Sequence, residues 1–544
     1  GAVHAGEEPD VSVESGTAVE VSTGAVMPPG ADAVVKVEET TESDEGVAIR
    51  TSVAPGDNVM LAGADVAAGA RALGPGTRVT AREIGLLSAL GVDEVPVRGK
   101  PTVGIVSTGD ELVRPGGDLN SEAGQIYDVN SYTIAAAVEE AGGDPVLYPH
   151  VGDDYDEMER LLVRGAEECD LVLSSGSTSA SAVDVIYRVI EERGDLLLHG
   201  VAVKPGKPML VGELGDSAYV GLPGYPVSAL TIFRTFVAPV VREAAGIPEP
   251  ETAVVTGEMA VQERYGEGRR RLMPAGLVTD GDGEMLVYPV DKGSGATTSL
   301  VDADGTVTVP ADTDYLAAGE SVDVTLFSPD VRAPNLLSVG EDDPLLSRVL
   351  DEVDSPRFLP VGTREGLRRL REGIPDVAVV AGPDEPEGAT VDLGGWTREW
   401  GLVVPAGNPH EVEGLTDLVD RDLRLVNRDT NSGLRASFDA ALDALAAERD
   451  ESRHDLTDAI DGYGLTTKAH ESPARKVAAG AADAGLGLRA TAEKLGLGFV
   501  SVDTQSVDVL AAPDRAEKPG VRALERALES IDPLAASLDG FEPE

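Results

Sequence analysis

"LVLSSGSTSASAVDV", residues Leu171–Val185, decides how this chain folds. It opens as a short apolar run, passes into Ser, Gly, Thr and Ala, and closes on one carboxylate, Asp184. By composition a Ser/Gly-rich stretch reads as a flexible linker. By position it reads differently, because the apolar run has the length of a buried strand and "VDVIYRVIEERG" after it has helical spacing. A strand, a tight polar loop and a helix form the repeating unit of a parallel α/β sheet. Both readings stand until the flanking sequence is considered.

The same unit recurs on either side. "PTVGIVST" reads as a strand, and "NSYTIAAAVEEAGG" as a helix with Asn130 or Ser131 as its N-cap. "DPVLYPHV" and "DEMERLLVRGAEEC" repeat the pair, then "YVGLPG" turns into the helix "PVSALTIFRTFVAPVVREAAG". The expectation is an α/β domain over residues 99–246, its parallel sheet covered by helices on both faces. Residues 1–98 read as β-rich, with Val-rich runs, Pro-Gly turns and one helix in "VTAREIGLLSALGV" (79–92). Residues 247–330 read as a small β-barrel-like domain of short strands. In residues 331–544 α/β alternation resumes in the manner of a two-lobed binding domain, with "VRALERALESI" packing on it. A multidomain α/β protein suits 544 residues, too many for one core.

The balance of 96 acidic against 44 basic residues gives a net charge of −52. Such a chain repels nucleic acid and anionic membranes. The acid is spread along the whole chain, Lys is scarce beside Arg and the apolar side chains are small, which favours adaptation to high salt. Any retained Lys is then informative. Cys169 is the single cysteine, which excludes a disulfide framework and a Cys-based metal cluster and leaves a small buried residue. No apolar window is long enough to span a membrane. "GAVHAGEEPD" shows no signal-peptide pattern, so a cytoplasmic location is expected. With no initiator Met, the chain is expected to lack its true start.

Ligand sites in parallel α/β sheets gather at the carboxyl ends of the strands. Four segments fall there. "GIVSTGDELV" (104–113) ends a strand in Ser107, Thr108 and Gly109, then carries Asp110 and Glu111. The opening stretch supplies Ser174, Ser175, Gly176 and Ser177. "VAVKPGKPMLVG" (201–212) holds Lys204 and Lys207 between prolines, and "GLPGYPVSAL" (221–230) is a stiff turn into a helix. Backbone N–H groups and hydroxyls at a helix start bind anions, and the lysines add point charges. Glu111, Asp184 and Asp153 are oxygen ligands suited to a hard cation such as Mg²⁺. Taken singly each segment has a plainer reading: an acidic helix start, a linker, a surface turn, and Asp153 as an N-cap. Their common position at the ends of one sheet argues for a site.

"STGDEL", "GQIYDVNSYTIAAAVEEAGG", "SSGSTSASAVDV", "KPGKP" and "GLPGYPVSA" resemble, in order and spacing, the molybdopterin molybdenumtransferases of the gephyrin E-domain type. "TGAVMPPGADAVV" (23–35) and "MLAGADVAAG" (60–69) resemble that family's β-rich domain, so the likeness covers residues 1 to about 328. It implies an enzyme that binds adenylylated molybdopterin and molybdate, or tungstate. With Mg²⁺ it hydrolyses the adenylate, inserts the metal and releases AMP. Matched motif by motif, it implies Asp65, Glu111, Asp153 and Asp184 as the acidic residues, with Glu111 and Asp184 on the metal. Thr23, Lys204, Lys207 and Ser228 are implied in binding, Pro223 and Pro226 in the rigid turn, and Arg269 in the terminal β domain. It also implies a homodimer in which Thr23 and Asp65 serve the partner's site. The chain departs from the family pattern at Ala182, where relatives place Glu, and at Tyr225, where many have Asn. Basic residues before Asp65 and an N-terminal Asp-Gly-Tyr segment are absent. Ala182 motivates a rival reading as a catalytically impaired regulator, and the fold itself a second rival, a scaffold.

From about residue 333 the chain resembles the periplasmic-binding-protein-like domain fused to some members. The cues are "LLSVGEDDPLL" (336–346) with Ser338, "LVNRDTNSGLR" (425–435) and "VAAGAADAGLGL" (477–488). Asn431, Ser432 and Gly433 precede a helix, with Arg435 behind them, which suits a small anion such as molybdate or tungstate. Asp483 reads as a turn residue. The alternative is a purely structural module.

Overall fold

Short apolar runs bounded by Gly and polar turns become the strands of the central domain. In the computed structural model all residues are described except 121, 122, 153, 177–179, 291, 292, 294 and 544; at 180–184 only the backbone is. The chain divides into two units, Gly1–Arg98 and Gly99–Glu544.

The first unit pairs Ala2–Val3 with Glu20–Val21 and forms a hairpin from Thr40–Ser43 and Gly46–Ile49. Its helix, Ala81–Ala89, lies inside the expected 79–92. Thr80 and Glu83 close a capping box at its start, satisfying two otherwise orphaned N–H groups.

In the second unit the α/β domain runs β1 (Thr102–Ser107), α1 (Asn130–Glu140), β2 (Asp144–Leu147), α2 (Tyr155–Glu168), β3 (Leu171–Ser175) and α3 (Ala180–Arg193). There follow β4 (Gly194–His199), β5 (Leu210–Leu214), β6 (Ser217–Leu222) and α4 (Pro226–Ile232). The sheet order is β4-β5-β6-β3-β1-β2. β6, β3, β1 and β2 are parallel; β4 and β5 add an antiparallel edge that the sequence reading did not assign. The cap of α1 is neither Asn130 nor Ser131: Asp128 Oδ1 accepts from the Ser131 N–H at 3.0 Å. Asp154 caps α2, accepting from Glu157 N at 2.9 Å. The helix expected from Val183 starts at Ala180, so Asp184 stands in its second turn. α4 continues through a π-helical turn at Phe233–Val237 into Ala238–Ala245. Pro239 lies just past that turn, and with no N–H to donate it breaks the i→i−4 ladder there.

Cys169 is 7 % exposed, and burial raises its thiol pKa. A thiol reagent at neutral pH should therefore leave the native chain unlabelled and modify one group per chain only after unfolding, as a colorimetric thiol assay would read.

The small β domain closes on itself. β7 (Val254–Met259), β8 (Arg270–Thr279), β9 (Met285–Pro289), β10 (Gly305–Val309) and β11 (Ser321–Leu326) form a barrel, since β10 pairs with both β8 and β11. Val203–Lys204 reaches across from the α/β domain to lie parallel to Arg270 and Arg271, which sets the lysine loop beside the barrel's arginines.

The C-terminal domain is one nine-stranded sheet. It contains β12 (Leu336–Gly340), β13 (Val391–Val404), β14 (Leu425–Arg428) and β15 (Gly498–Ala511), with helices α5 (Pro344–Leu350), α6 (Gly433–Arg449) and α7 (Pro519–Leu528). The long strands β13 and β15 pair along most of their length and tie the two lobes together. α7 packs on the domain as expected, through Val521, Leu524 and Leu528. Across the expected boundary between residues 330 and 331 the neighbouring domains share a core: Val278, Tyr288 and Val290 of the barrel pack with Leu337, Val339 and Ala378. Among the described residues no helix is long and apolar enough to cross a membrane.

Candidate active site

The carboxyl edge of the sheet opens into two adjoining cavities that share Tyr225. The first, of about 650 Å³, sits over the ends of β1 and β3. Ser107, Thr108 and Gly109 line it from β1, and Ser175 and Gly176 from β3. The Thr108 N–H donates to Ser175 O at 2.7 Å, which holds the two strand ends together. Ser107 Oγ lies 2.7 Å from Ser131 Oγ, and Asn130 donates to Ser175 Oγ at 2.8 Å and to Gly224 O at 2.7 Å. Among the described residues the buried Thr108 hydroxyl has no partner, and neither has the Asn130 side-chain carbonyl. Both are groups that a polar ligand can satisfy. Gly109, at φ +143°, lets the Glu111 carboxylate fold over the backbone; a Cβ there would stand 2.5 Å from it.

Ser174 does not join this wall. Successive strand residues face opposite ways, so it points into the core and bonds Tyr219 Oη at 2.6 Å. The Ser-rich stretch thus divides: Ser175 faces the cavity and Ser174 the interior.

The second cavity, of about 700 Å³, lies between the α/β domain and the barrel. Lys204, Lys207, Arg269 and Arg271 converge on it, and Ser228 of α4 and Pro223 complete the α/β side. Four cations around one cavity in a chain of net charge −52 amount to a local reversal of sign. Glu267 holds two of them, bonding Lys204 at 2.6 Å and Arg269. The Lys204 hydrogen bond, aided by Arg269, keeps the Glu267 pKa below the usual carboxylate value. Arg271 is buried and bonds Glu263 at 2.7 Å. Lys207 has no carboxylate partner among the described residues.

The barrel contributes residues that sequence reasoning missed. Ser299 lines the basic cavity, is buried, and its hydroxyl has no partner among the described residues. Its signal was the small-residue loop "GSGATTSL" (293–300), which has the same composition as the opening stretch. Arg271 and Asp128 were missed as well.

Other expected residues fall elsewhere. Pro226 lines the first cavity. Asp153 and Ser177 lie outside the described residues, and Asp184 is placed by its backbone alone. Thr23 and Asp65 are exposed loop residues of the first unit. Among the described residues no group of three or more His, Cys, Asp or Glu is arranged to hold a metal. Glu111 and Asp128 do bring oxygen donors to the first cavity. Such a set suits Mg²⁺, which binds through one or two carboxylates and takes its other ligands from water and phosphate.

In the C-terminal domain the residues expected to hold a ligand are engaged internally. Ser338 Oγ donates to Arg357 O at 3.2 Å. Arg435 bonds Asp439 at 2.9 Å and stacks on Tyr463 at 4.0 Å. Asn431 is exposed, and its backbone N–H donates to Asp429 Oδ1 at 2.9 Å. Ser432 donates to Glu341 at 2.9 Å. Asp483 accepts from Arg424 N at 2.9 Å, as a turn residue would.

Four family models match the chain in succession. They are the MoeA N-terminal region (domains I and II) over residues 1–91, a probable molybdopterin binding domain over 104–243, the MoeA C-terminal region (domain IV) over 256–327, and a PBP superfamily domain over 354–529. The chain is 36 % identical over 334 residues to molybdopterin molybdenumtransferase 2 of Mycobacterium tuberculosis, covering 59 % of this chain and 80 % of that one. It is 32 % identical over 329 residues to the molybdopterin molybdenumtransferase of a Nostoc species, covering 59 % and 74 %. A solved molybdopterin biosynthesis MoeA protein from Pyrococcus horikoshii is 37 % identical over 60 % of this chain and 80 % of its own, with a TM-score of 0.49. Residues 1–327 therefore belong to the molybdopterin molybdenumtransferase family of molybdenum-cofactor biosynthesis enzymes, and a PBP-superfamily domain follows them in the same chain.

Proposed function

We propose that the enzyme inserts molybdate, or tungstate, into adenylylated molybdopterin and releases AMP in a Mg²⁺-dependent reaction. The observation that carries this reading is the pair of adjoining cavities, one lined by hydroxyls and strand ends, the other by cations. In the first, Thr108 offers its hydroxyl to phosphate oxygens, and Asn130 and Ser175 fix the strand ends. Glu111 and Asp128 would hold Mg²⁺, which when bound neutralises phosphate charge, and the family resemblance adds Asp184. In the second, Lys204, Lys207 and Arg269 bind the oxyanion and Ser299 donates to it, so that charge leaving the metal-oxo group is met by fixed cations. Tyr225, common to both cavities, stands where the dithiolene end of the substrate would pass from one to the other.

Exposed Val37, Met60 and Leu61 on the first unit offer apolar surface to a second copy of the chain, consistent with a homodimer. The excess of acidic over basic residues supports a working medium of high salt.

The test is AMP release by the purified chain from adenylylated molybdopterin with molybdate and Mg²⁺, at low and at multimolar salt. Glu111→Gln and Asp184→Asn should each lower turnover by about 10²-fold or more. Ser299→Ala should raise the KM for molybdate about tenfold. No AMP under any condition would favour the impaired regulator that Ala182 suggests.

A further inference from the structure

Three consecutive acids leave the end of β12 in "GEDDP" (340–344), and each goes to a different place. Asp343 caps α5, accepting from Leu345 N at 2.7 Å, and pairs with Arg398 at 2.6 Å. Asp342 meets His470 Nδ1 at 2.8 Å. Glu341 is 0 % exposed and enters the start of α6.

There its Oε2 accepts from the Gly433 N–H at 2.8 Å and from the Thr363 hydroxyl at 3.3 Å. Its Oε1 accepts from Ser432 Oγ at 2.9 Å, with guanidinium nitrogens of Arg398 and Arg428 at 3.6 and 3.7 Å. A helix N-terminus, two hydroxyls and two guanidinia are what an oxyanion receptor offers its ligand. The set exceeds what one carboxylate can use: Arg428 is buried, yet its Nη1 has no partner among the described residues. α6 is 17 residues long, so its N-terminus carries a full helix dipole.

We infer that the C-terminal domain contains a complete anion-binding site whose ligand is its own Glu341 carboxylate. The domain is self-liganded and does not take up free oxyanion at this position. A free anion would compete with a tethered one, whose effective concentration is at least in the mM range. The carboxylate also ties the end of β12 to the first turn of α6.

The chain's two tryptophans, Trp396 and Trp400, are both buried in β13. Tryptophan fluorescence of the whole chain therefore reports the unfolding of this domain, and all chains compared, the one with wild-type Glu341 included, carry Lys204→Ala and Lys207→Ala, so that oxyanion binding at the basic cavity does not enter. Thermal unfolding read this way, at constant ionic strength held with chloride, tests the inference with formate, sulfate and molybdate. The wild-type midpoint should not move with any of the three. Glu341→Ala should lower it by about 5–10 °C and regain it saturably with formate. Glu341→Gln, which keeps the volume and loses the charge, should lower the midpoint without rescue, and it decides the matter if Glu341→Ala does not fold. A saturable wild-type shift with molybdate or sulfate would overturn the inference. So would a Glu341→Gln midpoint equal to the wild type, or a folded Glu341→Ala that formate does not restore.

Discussion

Gly176→Ala is expected to lower AMP release on the order of 100-fold while the chain stays folded. Gly176 follows β3 at φ +112°, a conformation that L side chains rarely adopt. A Cβ there would drive into the backbone oxygen of Thr108 and stand 2.8 Å from its hydroxyl. Neither side can yield cheaply. Thr108 is fixed by its N–H bond to Ser175 O, and the Ser175 hydroxyl is held by Asn130. Relief must come from moving one strand end away from the other, and the first cavity lies over both. Backbone strain of this kind costs about 1–3 kcal/mol, within what the domain's core can absorb. The activity loss is larger because a displacement of about 1 Å in positioning groups costs about 10²-fold in rate. Protection of the Cys169 thiol reads whether the α/β domain is still native, since Cys169 packs in its core. Full activity with a protected thiol would show that the strand ends do not position substrate.

The loop around Gly176 also shows what sequence could and could not disclose. Strand, loop and helix were legible because apolar runs and helical spacing are local properties. The site segments were legible because all end strands of one sheet. The facing of single residues was harder. Ser174 and Ser175 are chemically alike, and only strand register sends one to Tyr219 and the other to the cavity. The caps at Asp128 and Asp154 lie one to three residues from the expected positions, because several neighbouring polar residues can serve and tertiary contacts choose among them. Asn130 was drawn away from capping by Ser175 and Gly224. Ser299 and Arg271 come from a separate domain, and their place in the basic cavity depends on Val203–Lys204 pairing with Arg270–Arg271. Glu341 was hidden in a run of three acids in an acidic chain, where nothing local marks which one is buried.

Arg357→Ala is expected to destabilise the C-terminal domain and loosen it from the barrel. Arg357 Nη1 and Nη2 bond both oxygens of Asp304, at 2.6 and 2.7 Å, and Nη1 also bonds Tyr288 Oη at 3.3 Å. Burial works against the guanidinium charge, but the bonds to Asp304 and Tyr288 overcome it, so the Arg357 pKa lies above its usual value. Asp304 is 3 % exposed and also accepts from Leu277 N at 2.7 Å. Removing the arginine leaves that carboxylate buried beside one backbone donor, a loss of about 3–5 kcal/mol. Tryptophan-monitored denaturation should show the fall directly. Arg357→Met combined with Asp304→Leu should recover part of it, because two apolar side chains leave no charge unpaired. The effect should also reach the basic cavity. Asp304 lies five residues beyond Ser299 in the same barrel segment, and Lys518 braces Thr279 O of β8 from the C-terminal domain at 2.7 Å. If the fused domain buttresses that wall, Arg357→Ala raises the KM for molybdate along with its loss of stability. A stability loss with an unchanged KM would separate the two and leave the C-terminal domain a neighbour of the cavity instead of its support.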